Sequence, residues 1–263
     1  MSLIVQGVDV FVRESGCGEP ILFLHGNPDS ADLWNDIIFQ LHESYRCIAI
    51  DLPGFGRTKA PQDFDYSFEN LGDFVNALVE SLNITTPLNV VAHDFGGAFA
   101  MSWAARNPQK VRSIVVINHP FFVAEYKWHF GARVWRTPLV GELSMFLINW
   151  PVFSWMMRSG NKNLSKEQIR HAYLVLSQSR WQILRLYRAP DPEEFKRWEP
   201  QMLAATAKIP TLVLWGNQDS FIPEWVADKF GSKRVTRFQE SGHWLPAEIP
   251  EQVAAELLKF LKL

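Results

Sequence analysis

Residues 90–97 read Val-Val-Ala-His-Asp-Phe-Gly-Gly, an apolar β-branched run that ends in a tight turn and leads at once into a helical pattern. Asp94 stands at the tip of that turn. A carboxylate is ionised near neutral pH without help from a base. As a nucleophile it displaces a leaving group from a saturated carbon and leaves an alkyl ester on the protein. A histidine is then free to activate water for the second step. His243 follows the last apolar run and Gly242, and Asp219 follows the run 211–215 and precedes Phe221-Ile222-Pro223. The three give the chain order nucleophile, acid, base.

Such groups must be held by rigid elements. Short apolar runs recur at 8–12, 21–24, 47–50, 88–92, 111–117, 211–215 and 234–238. Several are continuous rather than alternating, as in strands buried on both faces of a parallel sheet. Helical spacing lies between most of them: Leu71, Phe74, Val75, Leu78, Val79 and Leu82, and near the end Val253, Leu257, Leu258 and Leu261 behind Pro250. The alternation predicts an α/β fold with a doubly wound, mostly parallel sheet. Runs 3–6 and 8–13, split by Gly7, predict an antiparallel hairpin at one edge. From residue 121 to 204 the strand pattern stops, and Pro138, Pro151, Pro190, Pro192 and Pro200 divide the segment into short predicted helices. The expected organisation is a core of residues 1–120 and 205–263, with a helical cap of 121–204 inserted after the sixth strand.

At 263 residues the chain suits one large α/β domain with an insertion, and 47% hydrophobic residues suffice for a sizeable core. The net charge of −2, mixed along the chain, argues against nucleic acid or an anionic membrane as the main partner. The expected partner is a small-molecule substrate; the oligomeric state is left open. Cys17 and Cys47 have no metal or redox spacing, and the first residues carry no signal-peptide pattern, so a cytoplasmic protein with no metal and no cofactor is expected. Six of the 11 tryptophans fall in the cap segment, either as lid packing or as walls of an apolar pocket.

With His25-Gly26-Asn27-Pro28, Asp51-Leu52-Pro53-Gly54-Phe55-Gly56, Trp215-Gly216-Asn217-Gln218-Asp219 and Ser241-Gly242-His243-Trp244 added, the chain resembles the α/β-hydrolase superfamily. Within it the closest likeness is to the Asp-nucleophile branch of epoxide hydrolases and haloalkane dehalogenases. The resemblance implies Asp94 as nucleophile in a nucleophile elbow, His243 as base, Asp219 as the acid that orients it, and an oxyanion hole from the backbone N–H groups of Asn27 and Phe95. It also suggests a cis Asn27–Pro28 bond. Ala92 stands where that pattern usually has Gly.

The branches differ at the leaving group. Dehalogenases usually follow the nucleophile with Trp, whose indole N–H holds the halide; here it is Phe95, although Asn27 matches the second halide donor. Epoxide hydrolases hold the epoxide oxygen with two cap tyrosines. Tyr126 and Tyr187, the latter before Arg188, resemble that pair. Opening an epoxide creates an alkoxide, and a phenol donates to that growing charge. Epoxide hydrolysis of a small neutral hydrophobic substrate is the leading expectation. Haloalkane dehalogenation with Trp128 as halide donor comes second, and a non-catalytic small-molecule receptor on the same fold third. Trp128, Phe95 and Phe121 are the expected pocket walls.

Overall fold

The structure is a computed structural model that describes residues 1–120 and 122–262. Phe121, expected in the pocket wall, lies outside the described residues. Eight strands form one sheet: β1 (Ser2–Val5), β2 (Val8–Ser15), β3 (Glu19–Leu24), β4 (Tyr45–Ile50), β5 (Leu88–His93), β6 (Val111–Ile117), β7 (Thr211–Gly216) and β8 (Arg234–Phe238). Their spatial order is β1-β2-β4-β3-β5-β6-β7-β8. β1 pairs antiparallel with β2 in the edge hairpin, β2 pairs antiparallel with β4, and all remaining pairs are parallel. Every residue of β5 and β7 is buried. That is why these runs lack alternation: both faces of a central parallel strand meet helices.

Helices α1 (Asn35–Leu41), α2 (Phe68–Ser81) and α3 (Gly96–Arg106) connect the first strands. Leu71, Phe74, Val75, Leu78 and Val79 form the buried stripe of α2, opened by Ser67, whose hydroxyl accepts the Asn70 N–H. Burial of such side chains stabilises the fold by roughly 1.5–3 kcal/mol each. Between β6 and β7 come five helices: α4 (Phe130–Arg136), α5 (Val140–Leu147), α6 (Trp150–Gly160), α7 (Lys166–Arg188) and α8 (Pro192–Thr206). After β8 follow α9 (Leu245–Glu248) and α10 (Pro250–Leu261).

Two features of the inserted helices differ from the sequence expectation of short pieces. α7 runs for 23 residues, with one non-helical residue at Ser179. No proline falls inside it, and a capping box of Ser165 and Gln168 starts it. Pro200 does not end a helix but lies inside α8. Phe195, Trp198 and Met202, buried on either side of it, hold that helix in place. The tryptophans of this region divide: Trp128, Trp135 and Trp198 are buried, whereas Trp155 and Trp181 face solvent. Among the described residues no helix is long and apolar enough to cross a membrane.

Candidate active site

The carboxyl ends of five parallel strands converge on one point, the place where an open α/β sheet presents its ligands. Asp94 follows the last residue of β5 directly, and its φ is +45°, a left-handed turn. The turn is possible only because α3 starts on two glycines. A Cβ on Gly96 would lie 2.2 Å from the Leu24 carbonyl oxygen, and one on Gly97 2.3 Å from the His119 ring. Ala92, in place of the usual glycine, is fully buried and sits within β5.

The Asp94 carboxylate is nearly enclosed. Asn27, after β3, donates its backbone N–H to Asp94 Oδ2 at 2.9 Å, and the Phe95 N–H also donates to this carboxylate. The Asn27–Pro28 bond is cis. Burial raises the Asp94 carboxyl above its ordinary range, while positive charge on His243 and the two N–H groups pull the other way. His119 donates from Nδ1 to the Asp94 carbonyl at 2.7 Å and so ties the turn to the end of β6.

His243 Nε2 lies 3.9 Å from Asp94 Oδ1, and its Nδ1 lies 2.7 Å from Asp219 Oδ2. The bond to Asp219 fixes a proton on Nδ1, so in the neutral ring the Nε2 lone pair faces Asp94. Burial alone lowers this imidazole's pKa, but the charge and hydrogen bond of Asp219 outweigh it and the net shift is upward from 6.5. Asp219 is itself held: Asn118 Nδ2 donates to Oδ2 at 2.7 Å, and the Phe221 and Ile222 N–H groups donate to Oδ1. Asn118 also accepts the Gly216 N–H, joining the ends of β6 and β7.

Three further residues serve the site, of which only His93 lies within a motif, the turn of residues 90–97. Asn161, just past α6 and fully buried, accepts the backbone N–H groups of both His243 and Trp244. His93 bonds through Nε2 to the His243 carbonyl at 2.9 Å. His129 accepts the Ala132 N–H at Nδ1, so its proton stands on Nε2. Burial pushes this imidazole down to about 4 and keeps it neutral. A helical pattern starting at Phe130 with His129 in the cap position was the one local signal for it.

Above Asp94 is a cavity of about 40 Å³, lined chiefly by aromatic and apolar side chains. Phe95, Trp128, Tyr126 and Tyr187 all line it, together with Asn27, His129, His243 and α6 residues Phe153, Met156 and Met157. Tyr187 Oη lies 3.4 Å from Asn27 Nδ2, while Asn27 Oδ1 is buried with no partner among the described residues. Both phenols are raised above their ordinary value by burial first and by the charge of Asp94 second. They therefore stay protonated as hydrogen-bond donors. Among the described residues no group of three or more His, Cys, Asp or Glu is placed to hold a metal ion.

Eight mostly parallel strands, an acid-tipped turn after the fifth and a histidine after the last give the chain the α/β-hydrolase fold, and the family model described as the alpha/beta hydrolase fold matches residues 19–137. Its relatives accord with the Asp-nucleophile branch. The chain is 27% identical to the cis-3-alkyl-4-alkyloxetan-2-one decarboxylase of Shewanella oneidensis over 94% of this chain and 83% of that protein. It is 41% identical to a haloalkane dehalogenase of Agrobacterium fabrum over 41% of this chain and 35% of that protein. The solved structure of haloalkane dehalogenase DbeA from Bradyrhizobium elkani matches with a TM-score of 0.81 at 27% identity, covering 100% of this chain and 97% of that one.

The raised pKa of His243 sets a pH dependence. If this imidazole must be neutral to act as a base, turnover falls as pH drops through a value above 6.5 and levels off on the alkaline side. Initial rates at saturating substrate across the pH range check this. A rate that stays flat through 6.5 and below contradicts the role.

Proposed function

We propose that this protein hydrolyses a small, neutral, hydrophobic epoxide through an alkyl ester on Asp94. The observation that carries the reading is that two protonated phenols, Tyr126 and Tyr187, share one apolar cavity with the Asp94 carboxylate. Asp94 Oδ1 attacks a ring carbon, the C–O bond breaks, and the departing oxygen takes a proton from one of the two phenols, leaving a phenolate. Oδ2 remains against the Asn27 N–H as the carbonyl oxygen of the new ester. A water between His243 Nε2 and the ester then gives its proton to His243 and attacks the Asp94 Cγ. Negative charge develops on Oδ2, where the Asn27 N–H already points. On collapse the departing diol oxygen takes the proton from His243, and the proton left on the Asp94 carboxyl returns to the phenolate, which restores Asp94 with one water consumed. The Shewanella relative is named for an oxetan-2-one, also a strained oxygen ring, which supports ring opening on this scaffold.

A haloalkane is the second reading. It is favoured by the dehalogenase relatives and by the side-chain amide of Asn27, one polar atom of which has no described protein partner in the cavity wall. With Phe95 after the nucleophile, the cap's Trp128 is then the indole that would hold the halide. The purified protein is tested in parallel on styrene-type epoxides and short 1-bromoalkanes. The epoxide reading expects diol formation, and it expects Tyr126→Phe and Tyr187→Phe each to slow epoxide opening by roughly 10²-fold, as loss of one oxyanion donor does. Halide release with no diol, or tyrosine variants at full epoxide rate, passes the case to the dehalogenase. Absence of turnover on both classes with intact binding of either would leave a receptor.

A further inference from the structure

The outer surface of the inserted helices is apolar where a soluble surface is ordinarily polar. On α5 and the residue before it, Leu139, Leu143, Phe146 and Leu147 share one face, with Leu139 82% and Phe146 79% exposed. The outer face of α6 adds Val152 and Trp155, the latter 72% exposed, and that of α7 adds Leu174 and Trp181. These faces adjoin. Arg180 on α7 donates to the Ile148 carbonyl between α5 and α6, and Arg188 at the end of α7 pairs with Glu142 on α5. Exposed apolar area on this scale marks an interaction surface.

The segment that carries it is mostly positive. From Phe130 to Arg188 the chain carries nine Lys and Arg against two Asp and Glu, within a protein whose net charge is −2. The basic residues continue the apolar faces. Arg158 lies one turn after Trp155, and Arg170 one turn before Leu174, all four exposed. Arg133, Arg158, Lys162, Lys166 and Arg170 make no ion pair with a described residue. Of the two acids, Glu142 is already paired with Arg188. A second copy of this face would set like charges against each other with one carboxylate, Glu167, to offset them. A surface of negative charge over hydrocarbon fits both properties.

We propose that this face docks the protein on an anionic lipid bilayer, with Phe146, Leu143 and Trp155 in the headgroup–acyl boundary and Arg133, Arg158 and Arg170 on the lipid phosphates. The combination of apolar aromatics with flanking basic residues is the pattern by which helices lie in a membrane interface without spanning it. The mean charge of the chain hides it, because the compensating acids lie elsewhere in the fold. α6 presents Val152 and Trp155 outward while Phe153, Met156 and Met157 line the cavity above Asp94, so one helix separates the bilayer from that cavity. A substrate drawn from the lipid phase is the consequence, and that consequence alone rests on the hydrolase reading.

Flotation tests the docking without any turnover. The full chain is mixed with vesicles of phosphatidylcholine, or of phosphatidylcholine with phosphatidylglycerol, and its oligomeric state is measured by light scattering. Expected is a monomer that floats with the anionic vesicles, and less so in high salt. Arg158→Gln and Arg170→Gln should each weaken partitioning about fivefold, the effect of one basic residue near a charged surface. Phe146→Ser and Trp155→Ser should each weaken it by roughly tenfold or more, from lost apolar burial. All four positions are exposed, so unchanged melting temperatures separate lost docking from lost fold. No flotation, flotation indifferent to lipid charge, or a dimer that Phe146→Ser dissociates would each overturn the proposal.

Discussion

Asp94→Asn abolishes turnover, by at least about 10⁴-fold, the scale on which loss of a covalent nucleophile is felt. Asn keeps the side-chain size, tolerates the positive φ and leaves the Asn27 N–H with an oxygen to meet. What it removes is the charge that attacks carbon in the proposed mechanism. The companion measurement uses the unaltered protein. A single turnover in H₂¹⁸O should place the label in the Asp94 side chain, because water attacks the Cγ of the ester and not the substrate carbon. Mass analysis of the peptide that holds Asp94 reads the label. Label confined to the product in that first turnover would mean that water adds to substrate directly, and the ester mechanism would fail.

The second large effect is expected at His243. His243→Gln removes the base while the N–H groups that hold Asp94 stay in place. Alkylation needs no base, so the first step survives and the second stalls. The variant should accumulate an adduct of substrate mass on the Asp94 peptide while steady-state turnover drops by roughly 10²–10⁴-fold, the range for loss of a general base. Turnover at the original rate would show that another group activates the water. A variant that forms no adduct, with a substrate the unaltered protein processes, would show that His243 acts before the ester forms.

Much of this arrangement is legible in the residues themselves. Strand ends are signalled locally, by glycine and by the stop of a β-branched run, and Asp94, Asp219 and His243 each sit just beyond such an end. The structure brings these three into one chain of contacts. The central runs are readable because burial on both faces leaves its mark residue by residue, and the edge hairpin because Gly7 splits two short strands. What could not be read is the layer of partners that arrives from far along the chain. Asn118 and Asn161 are ordinary asparagines in sequence, and their roles come from bonds to Asp219 and His243, 101 and 82 residues away. His119 and His93 are likewise defined by carbonyls that only the sheet brings near. Charge segregation was hidden in the same way: a mean over the chain does not report which face each charge occupies. The length of α7 is not legible from proline spacing, because no proline falls between Pro151 and Pro190 to mark where a helix stops.

The joint between α6 and the histidine loop bears on how such proteins can be rebuilt. Asn161 clasps two backbone N–H groups of that loop, and a Cβ on Gly242 would lie 1.7 Å from the Gly160 carbonyl oxygen. The two segments are fitted backbone to backbone. A chimaera that exchanges the inserted helices for those of a relative, in order to graft a new specificity, therefore also exchanges the bracket that seats His243. Grafts whose junctions keep Gly160 and Asn161 native should retain chemistry while changing preference. Grafts that replace the pair should lose rate on every substrate alike, however well the new pocket fits.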